Sequence, residues 1–132
     1  MSILKLKPSC KDYIWGGHRL AEEYNVLFEG RSPAEAWELS CHPDGASVIT
    51  NGKYAGRTLP DYIRQEGSWV LGTHCDRFED FPILIKFIDA RDNLSIQVHP
   101  DDRYARQNEG QYGKNEMWYV MDAGKDAFLY YG

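Results

Sequence analysis

The chain has 132 residues and a formal net charge of −5. It is long enough for one domain with a core, but it lacks the net positive charge expected of a nucleic-acid-binding surface. Hydrophobic residues make up 42% and charged residues 27% of the sequence, a balance typical of soluble globular proteins. No apolar run approaches the ~20 residues of a membrane span, and the first residues lack the apolar core of a secretory leader. We therefore expect neither a nucleic-acid nor a membrane partner.

The N-terminal half predicts short strands, because aromatic residues reach 14% of the sequence and favour sheet over helix. A strand is expected over residues 3–8, ended by Pro8, and a helix over 18–24. Two further strands are expected over 34–40 and 46–50, and Asn51-Gly52 predicts a hairpin turn after the second. Residues 34–55 are therefore interpreted as a meander of short strands.

The middle of the chain predicts a capped helix and then a core strand. Thr58 is a suitable N-cap for a helix that Gly67 ends. Residues 81–90 form the most apolar run and predict a strand. Lys86 lies within this run, and we interpret it as structural, with a contribution to phosphate binding as the alternative.

The C-terminal half predicts three strands and one helix. Residues 93–99 alternate strictly and are expected to pair antiparallel with the preceding strand. A helix over 100–108 should follow, then strands over 114–121 and 127–131. Because the sequence ends on an aromatic strand that would leave an open sheet edge, we expect the catalytic region to be incomplete at its C terminus.

Three polar side chains lie on one face of the strand predicted over residues 93–99. Ser95, Gln97 and His99 point the same way because side chains alternate along a strand. Glu116 is the natural third donor for a metal, since its strand can lie alongside. A mixed imidazole and carboxylate site most often holds Zn²⁺, with Mn²⁺, Fe²⁺ and Co²⁺ as substitutes. The simpler interpretation is that His99 is only hydrogen-bonded within a polar strand.

The remaining candidate ligands are assigned no metal role. His18, His42 and His74 fall in loop or turn contexts and are interpreted as surface residues. Three widely spaced cysteines, Cys10, Cys41 and Cys75, contain no CxxC pair. They favour reduced thiols in a cytoplasmic protein over a disulfide framework.

Several motifs, in the same order, resemble type I mannose-6-phosphate isomerases. They are Ile14–Gly17, Trp37–Ser40, His42–Gly45, Phe87–Ala90, Ser95–Ala105 and Gly113–Tyr119. The most specific are the Gln-Val-His-Pro-Asp-Asp block that begins at Gln97 and the Gly-Lys-Asn-Glu-Met-Trp-Tyr block that begins at Gly113. The resemblance extends over the whole chain.

The resemblance implies a mainly β, cupin-type jelly roll of antiparallel strands with a few short helices. Residues 1–132 are then the N-terminal portion of one catalytic cupin domain. The implied activity is zinc-dependent interconversion of mannose 6-phosphate and fructose 6-phosphate through an enediolate, with one Zn²⁺ per chain. The alternative is a metal-binding cupin module that binds sugar, or a fragment without turnover.

The resemblance also assigns individual residues. The zinc ligands of the family fall on Gln97, His99 and Glu116, and its active-site Ser and Lys fall on Ser95 and Lys114. The fourth ligand of the family, a His, and an active-site Arg have no counterpart within the 132 residues. Lys114 is open to two roles, as the base or as a phosphate ligand.

Overall fold

The computed structural model describes residues 3–130, which fall into two compact units, 3–94 and 95–130. Antiparallel sheet and a few short helices make up the regular structure of these residues, which confirms the predicted fold class. The interpretation of residues 1–132 as one domain stays a prediction. No helix among the described residues is long and apolar enough to cross a membrane.

A two-stranded sheet joins β1 (Leu6–Lys7) to β4 (Val48–Ile49). Ile49 is fully buried, and the Asn51 side chain accepts a hydrogen bond from the Lys5 amide at 2.7 Å. The expected hairpin at Asn51-Gly52 is wrong, because a 3-10 turn at Gly52–Tyr54 follows instead. The side chain of Asn51 is engaged with the N-terminal segment rather than shaping a two-residue turn.

A three-stranded antiparallel sheet places β3 (Glu35–Leu39) between β2 (Ser9–Lys11) and β5 (Ile85–Ile88). The meander predicted over residues 34–55 is therefore wrong, because β3 and β4 do not pair with each other: β3 pairs with β2 and β5, and β4 pairs with β1. The strand predicted over residues 3–8 is regular only at Leu6–Lys7, and it ends before Pro8 as predicted. Proline removes one backbone donor but does not stop the chain from entering a second strand.

The centre of this sheet is packed by small residues. Ala34 and Ala36 are 1% and 0% exposed. A methyl group on Gly16 would lie 2.6 Å from Cβ of Ala34, so glycine is required for this close approach. By contrast, Ile83 and Ile85 are 49% and 48% exposed. The core strand predicted over residues 81–90 is therefore only partly buried, and its regular part is limited to β5.

The predicted helices are confirmed. The first is α1 (Arg19–Glu22), and its first amide donates to Oδ2 of Asp89 at 2.7 Å. The second is α2 (Leu59–Glu66), where Thr58 accepts from the Asp61 amide as N-cap. Gly67 ends this helix at a φ of 93°, a conformation that favours glycine. Two 3-10 turns follow at Ser68–Leu71 and Thr73–Cys75.

The second unit contains α3 (Asp102–Asn108), as predicted. The strands predicted over 93–99 and 114–121 are wrong, and the described part of 127–131 is likewise irregular; Tyr131 lies outside the described residues. Alternation fixes only which side chains share a face, whereas a strand also needs a partner for its backbone N–H and C=O groups. These segments form no such ladder within residues 3–130.

Candidate metal centre

An imidazole and a carboxylate meet at the centre of the second unit. Nε2 of His99 lies 2.6 Å from Oε2 of Glu116, and the two side chains are 24% and 27% exposed. The residues are 17 positions apart in sequence. The sequence-based pairing of His99 with Glu116 therefore corresponds to a direct contact in the structure.

The other two polar residues of the alternating segment contact each other. Nε2 of Gln97 donates to Oγ of Ser95 at 3.2 Å. This hydrogen bond uses the amide nitrogen and leaves the amide oxygen as the donor atom for a metal. The structure thus shows two separate contacts, one between Ser95 and Gln97 and one between His99 and Glu116.

Lys114 contributes positive charge beside the same carboxylate. Its Nζ lies 3.9 Å from Oε1 of Glu116. Partial burial raises the pKa of Glu116, but the hydrogen bond to His99, the charges of Lys114 and His99, and the Trp118 indole outweigh it. The net result is a pKa below the usual value. Glu116 is accordingly an anionic carboxylate at neutral pH, the form that binds metals.

A short helix and a folded-back loop bring His99 and Glu116 together. Asp101 caps α3 by accepting from the Tyr104 amide at 2.8 Å. After the helix, Oδ1 of Asp102 accepts from the Gly113 amide at 2.8 Å. The next amide, that of Lys114, donates to the Pro100 carbonyl at 3.1 Å. The chain therefore returns to the segment that carries His99.

Sequence reasoning missed the contact between Asp102 and Gly113. An acidic residue in the first turn of a helix is ordinarily explained by the helix dipole, and a glycine in a loop by turn geometry. No sequence pattern distinguishes a capping aspartate from the aspartate beside it, so this contact had no signal in the sequence. A second contact that was missed is that of Trp118, whose indole forms a hydrogen bond with Glu116 and helps to lower the pKa of that carboxyl.

The tryptophans and the other histidines were assigned by context alone. Trp15 stacks on Tyr13 with ring centroids 5.2 Å apart, and Trp118 is 47% exposed. His42 packs edge-on against Trp37 at 5.5 Å. The assignment of His18, His42 and His74 as surface residues stays a prediction.

Two of the candidate donors, His99 and Glu116, contact each other directly. Within residues 3–130, no group of three or more His, Cys, Asp or Glu side chains is arranged to hold an ion. His99 and Glu116 supply a nitrogen and a carboxylate oxygen, and Gln97 can add an amide oxygen. This mixture of nitrogen and oxygen donors fits a borderline divalent cation such as Zn²⁺.

A family model described as the catalytic domain of type I phosphomannose isomerase matches residues 3–125. The chain belongs to this family. The resemblance of the sequence motifs to this family is thus confirmed. The mannose-6-phosphate isomerase of Streptococcus mutans is 43% identical over 129 residues, which cover 98% of this chain and 40% of that protein.

Solved structures of phosphomannose isomerases share the fold. The mannose 6-phosphate isomerase from Bacillus subtilis matches with a TM-score of 0.76 at 38% identity, over 86% of this chain and 35% of that one. A mannose 6-phosphate isomerase bound with zinc and yttrium matches with a TM-score of 0.64 at 30% identity, over 83% of this chain and 29% of that one. The antiparallel architecture is consistent with the jelly roll that the motifs implied.

The chain covers only part of each curated relative that it matches. It spans 40–41% of the length of four bacterial relatives. The activity and substrates of the whole protein therefore belong to the proposal that follows.

Proposed function

We propose that this chain is the metal-binding part of a mannose-6-phosphate isomerase, which interconverts mannose 6-phosphate and fructose 6-phosphate. The observation that carries the proposal is the 2.6 Å contact between His99 and Glu116 in a chain that matches the family over residues 3–125. A sugar phosphate is then the small-molecule partner. The cytoplasmic location, and the absence of nucleic-acid and membrane partners, stay predictions.

The metal we infer is zinc, one ion per chain. One related isomerase structure is described as bound with zinc and yttrium, and the donors here suit zinc. His99 would bind through an imidazole nitrogen, Glu116 through its carboxylate and Gln97 through its amide oxygen. A bound zinc ion supplies Lewis acidity, which stabilises the negative charge that develops on sugar oxygens during the reaction.

The isomerisation removes a proton from C2 of the aldose and returns one to C1 of the ketose, through an enediolate. Lys114 places an ammonium group beside the proposed site, 3.9 Å from Glu116. As a base it must give up its proton before it can accept one from carbon. As a phosphate ligand it stays charged and orients the substrate.

Ser95 and Gln97 are proposed to act together. The hydrogen bond between them holds the Gln97 amide in one orientation, and a held amide presents its oxygen without an entropic cost on binding. The Ser95 hydroxyl accepts this bond through its oxygen and keeps its own proton for donation. It is therefore free to donate to a sugar or phosphate oxygen.

The proposal is tested by zinc binding and by turnover. Zinc affinity is measured on the 132-residue chain by competition with a chelating dye, for the wild type, Glu116→Gln and the control Glu109→Gln. We expect only Glu116→Gln to lose affinity, by at least about tenfold, because an amide oxygen is a much weaker ligand than a carboxylate. A folded wild-type chain that takes up no zinc contradicts the metal site.

Turnover is measured on the full-length gene product with a coupled assay that follows fructose 6-phosphate. Isomerase activity that is lost on chelation and restored by zinc supports the enzyme. Zinc binding without isomerase activity in the full-length product supports the alternative, a metal-binding cupin module that binds sugar. The assay thus separates the two functions that the sequence left open.

A further inference from the structure

We propose that Asp102 is a positioning residue that sets the distance between His99 and Glu116, with Gly113 as the second half of the contact. The two hydrogen bonds involved, from the Gly113 amide to Asp102 and from the Lys114 amide to the Pro100 carbonyl, are here called the loop clamp. The inference rests on the proposed metal site, because it concerns the two residues assigned as its imidazole and carboxylate ligands.

The position of the clamp in the chain carries the argument. Asp102 lies three residues after His99, and Gly113 lies three residues before Glu116. Without the clamp, 17 positions separate the two ligands and they meet only by closing that loop. With the clamp, only the short segments on either side remain free. Loop-closure entropy grows with the logarithm of loop length, so shortening the free segments favours the pair.

The Asp102 carboxylate is used by the clamp and not needed for capping. Asp101 already accepts the Tyr104 amide at the start of α3. The Oδ1 atom of Asp102 instead reaches across 11 positions to the Gly113 amide. Two adjacent aspartates therefore have separate partners, one within the helix and one in the returning loop.

Glycine is required at position 113 because the two backbones touch. A methyl group there would lie 2.5 Å from the carbonyl carbon of Asp101 and 2.8 Å from the carbonyl oxygen of Pro100. Neither atom belongs to a flexible side chain, so the loop itself would have to move away. Any larger residue would thus displace Glu116 from His99.

Residues that orient metal ligands without touching the metal typically change metal affinity by about 10- to 100-fold when altered. The same range is expected here for Asp102→Ala. Asp102→Asn retains an oxygen at the position of Oδ1 and should lose less. Gly113→Ala should weaken zinc binding at least as much as Asp102→Ala, because it excludes the loop sterically.

The experiment combines zinc affinity with two measurements made without zinc, all on the 132-residue chain. Hydrogen exchange reports protection of the Gly113 amide, and nuclear Overhauser contacts report proximity of the His99 ring to the Glu116 methylenes. In Asp102→Ala we expect faster Gly113 exchange, loss of the ring contact and a zinc Kd raised by about tenfold. Asp102→Asn should retain most of the Gly113 protection, the ring contact and the zinc affinity.

Asp101→Ala is the matched control, since it removes the cap of α3 and leaves the clamp. It should lower the unfolding midpoint and change the zinc Kd by less than Asp102→Ala does. Equal effects of the two variants on the Kd, or unchanged Gly113 exchange in Asp102→Ala, would overturn the proposal. If the wild type binds no zinc, the proposed metal site is contradicted. Hydrogen exchange at Gly113 and the nuclear Overhauser contacts of the His99 ring then still test whether the clamp holds His99 against Glu116.

Discussion

Nε2 of His99 lies 2.6 Å from Oε2 of Glu116, and this contact joins the two sequence blocks that are most specific to the family. The contact exists in a segment that has almost no regular structure apart from α3. The two residues are therefore brought together by loop hydrogen bonds rather than by a sheet ladder. Ligands that are held close together before the metal arrives lose less conformational entropy when it binds.

The ion pair between Glu35 and Lys86 is expected to stabilise the three-stranded sheet. Oε2 of Glu35 accepts from Nζ of Lys86 at 3.3 Å and from Nε1 of Trp37 at 2.7 Å. The two charged side chains are only 9% and 18% exposed. Glu35→Ala should lower the free energy of unfolding by about 3 kcal/mol, because it leaves a mostly buried ammonium without its counter-ion. Urea denaturation of the chain measures this loss.

The exposed pair of Arg91 with Asp92 is the control for Glu35→Ala. Those side chains are 58% and 61% exposed, so Asp92→Ala should cost no more than about 0.5 kcal/mol. The double variant Glu35→Gln with Lys86→Met should recover much of the loss, since it removes both buried charges. An Asp92→Ala effect as large as that of Glu35→Ala would contradict this account.

The structure also shows which sequence signals were sufficient. Thr58 and Gly67 predicted both ends of α2 correctly, because capping is a local interaction between residues a few positions apart. Alternation at Ser95, Gln97 and His99 failed to predict a strand, because a ladder depends on a partner distant in sequence.

The candidate site, too, was predictable from the sequence only in part. The pairing of His99 with Glu116 followed from residue chemistry, and family motifs supported it. The contact between Gln97 and Ser95 and the role of Asp102 were not predictable, since each depends on side-chain orientation in irregular backbone. A second aspartate beside a capping aspartate has no distinctive pattern in sequence.

Loss of the N-cap should destabilise α2. Oγ1 of Thr58 accepts from the Asp61 amide at 3.3 Å and donates to Oδ2 of Asp61 at 2.6 Å. Thr58→Ala should cost about 1 kcal/mol of unfolding free energy at pH 7, whereas Thr58→Ser should cost much less. Thr73→Ala, at an exposed position without a cap interaction, is the control. Chemical denaturation followed by circular dichroism measures all three.

The same cap predicts a pH dependence. The hydrogen bond from Thr58, followed by the contacts with Arg64, lowers the pKa of Asp61 against the opposing effect of desolvation. A carboxyl whose pKa is lower in the folded state stabilises it above the unfolded pKa and loses this effect as pH falls through the folded pKa. The difference between wild type and Thr58→Ala should therefore shrink below about pH 4. A difference that is constant down to pH 2 contradicts the assignment.

Cys41 should react slowly with thiol reagents. Burial raises the pKa of the Cys41 thiol to about 11, and the charge of Asp80 adds to this effect. Since the thiolate is the nucleophile, alkylation of Cys41 should rise with pH toward a midpoint near 11. Peptide mapping after timed alkylation measures this midpoint. Asp80→Asn should lower it, whereas Asp76→Asn should not.

A raised thiol pKa also weakens the fold in alkali. The unfolded chain loses the Cys41 proton at lower pH than the folded chain does, so unfolding becomes easier as pH rises. The stabilisation is complete below the unfolded pKa, near 9, and is lost as pH rises toward about 11. Cys41→Ala should flatten this part of the stability profile. An unchanged alkaline profile in the variant would show that other groups cause the loss.

Charge and proton transfer at Lys114 can be separated with two substitutions in the full-length gene product. Arg keeps the positive charge but stays protonated at all accessible pH values, and Met removes the charge. If Lys114 binds phosphate, Lys114→Met should raise KM for the sugar phosphate by about tenfold while Lys114→Arg stays near wild type. If Lys114 is the base, both variants should lower kcat by about 10²- to 10⁴-fold. Lys125→Met, in an exposed segment of the same unit, is the control. If both Lys114 variants keep the wild-type kcat and KM, both active roles are excluded.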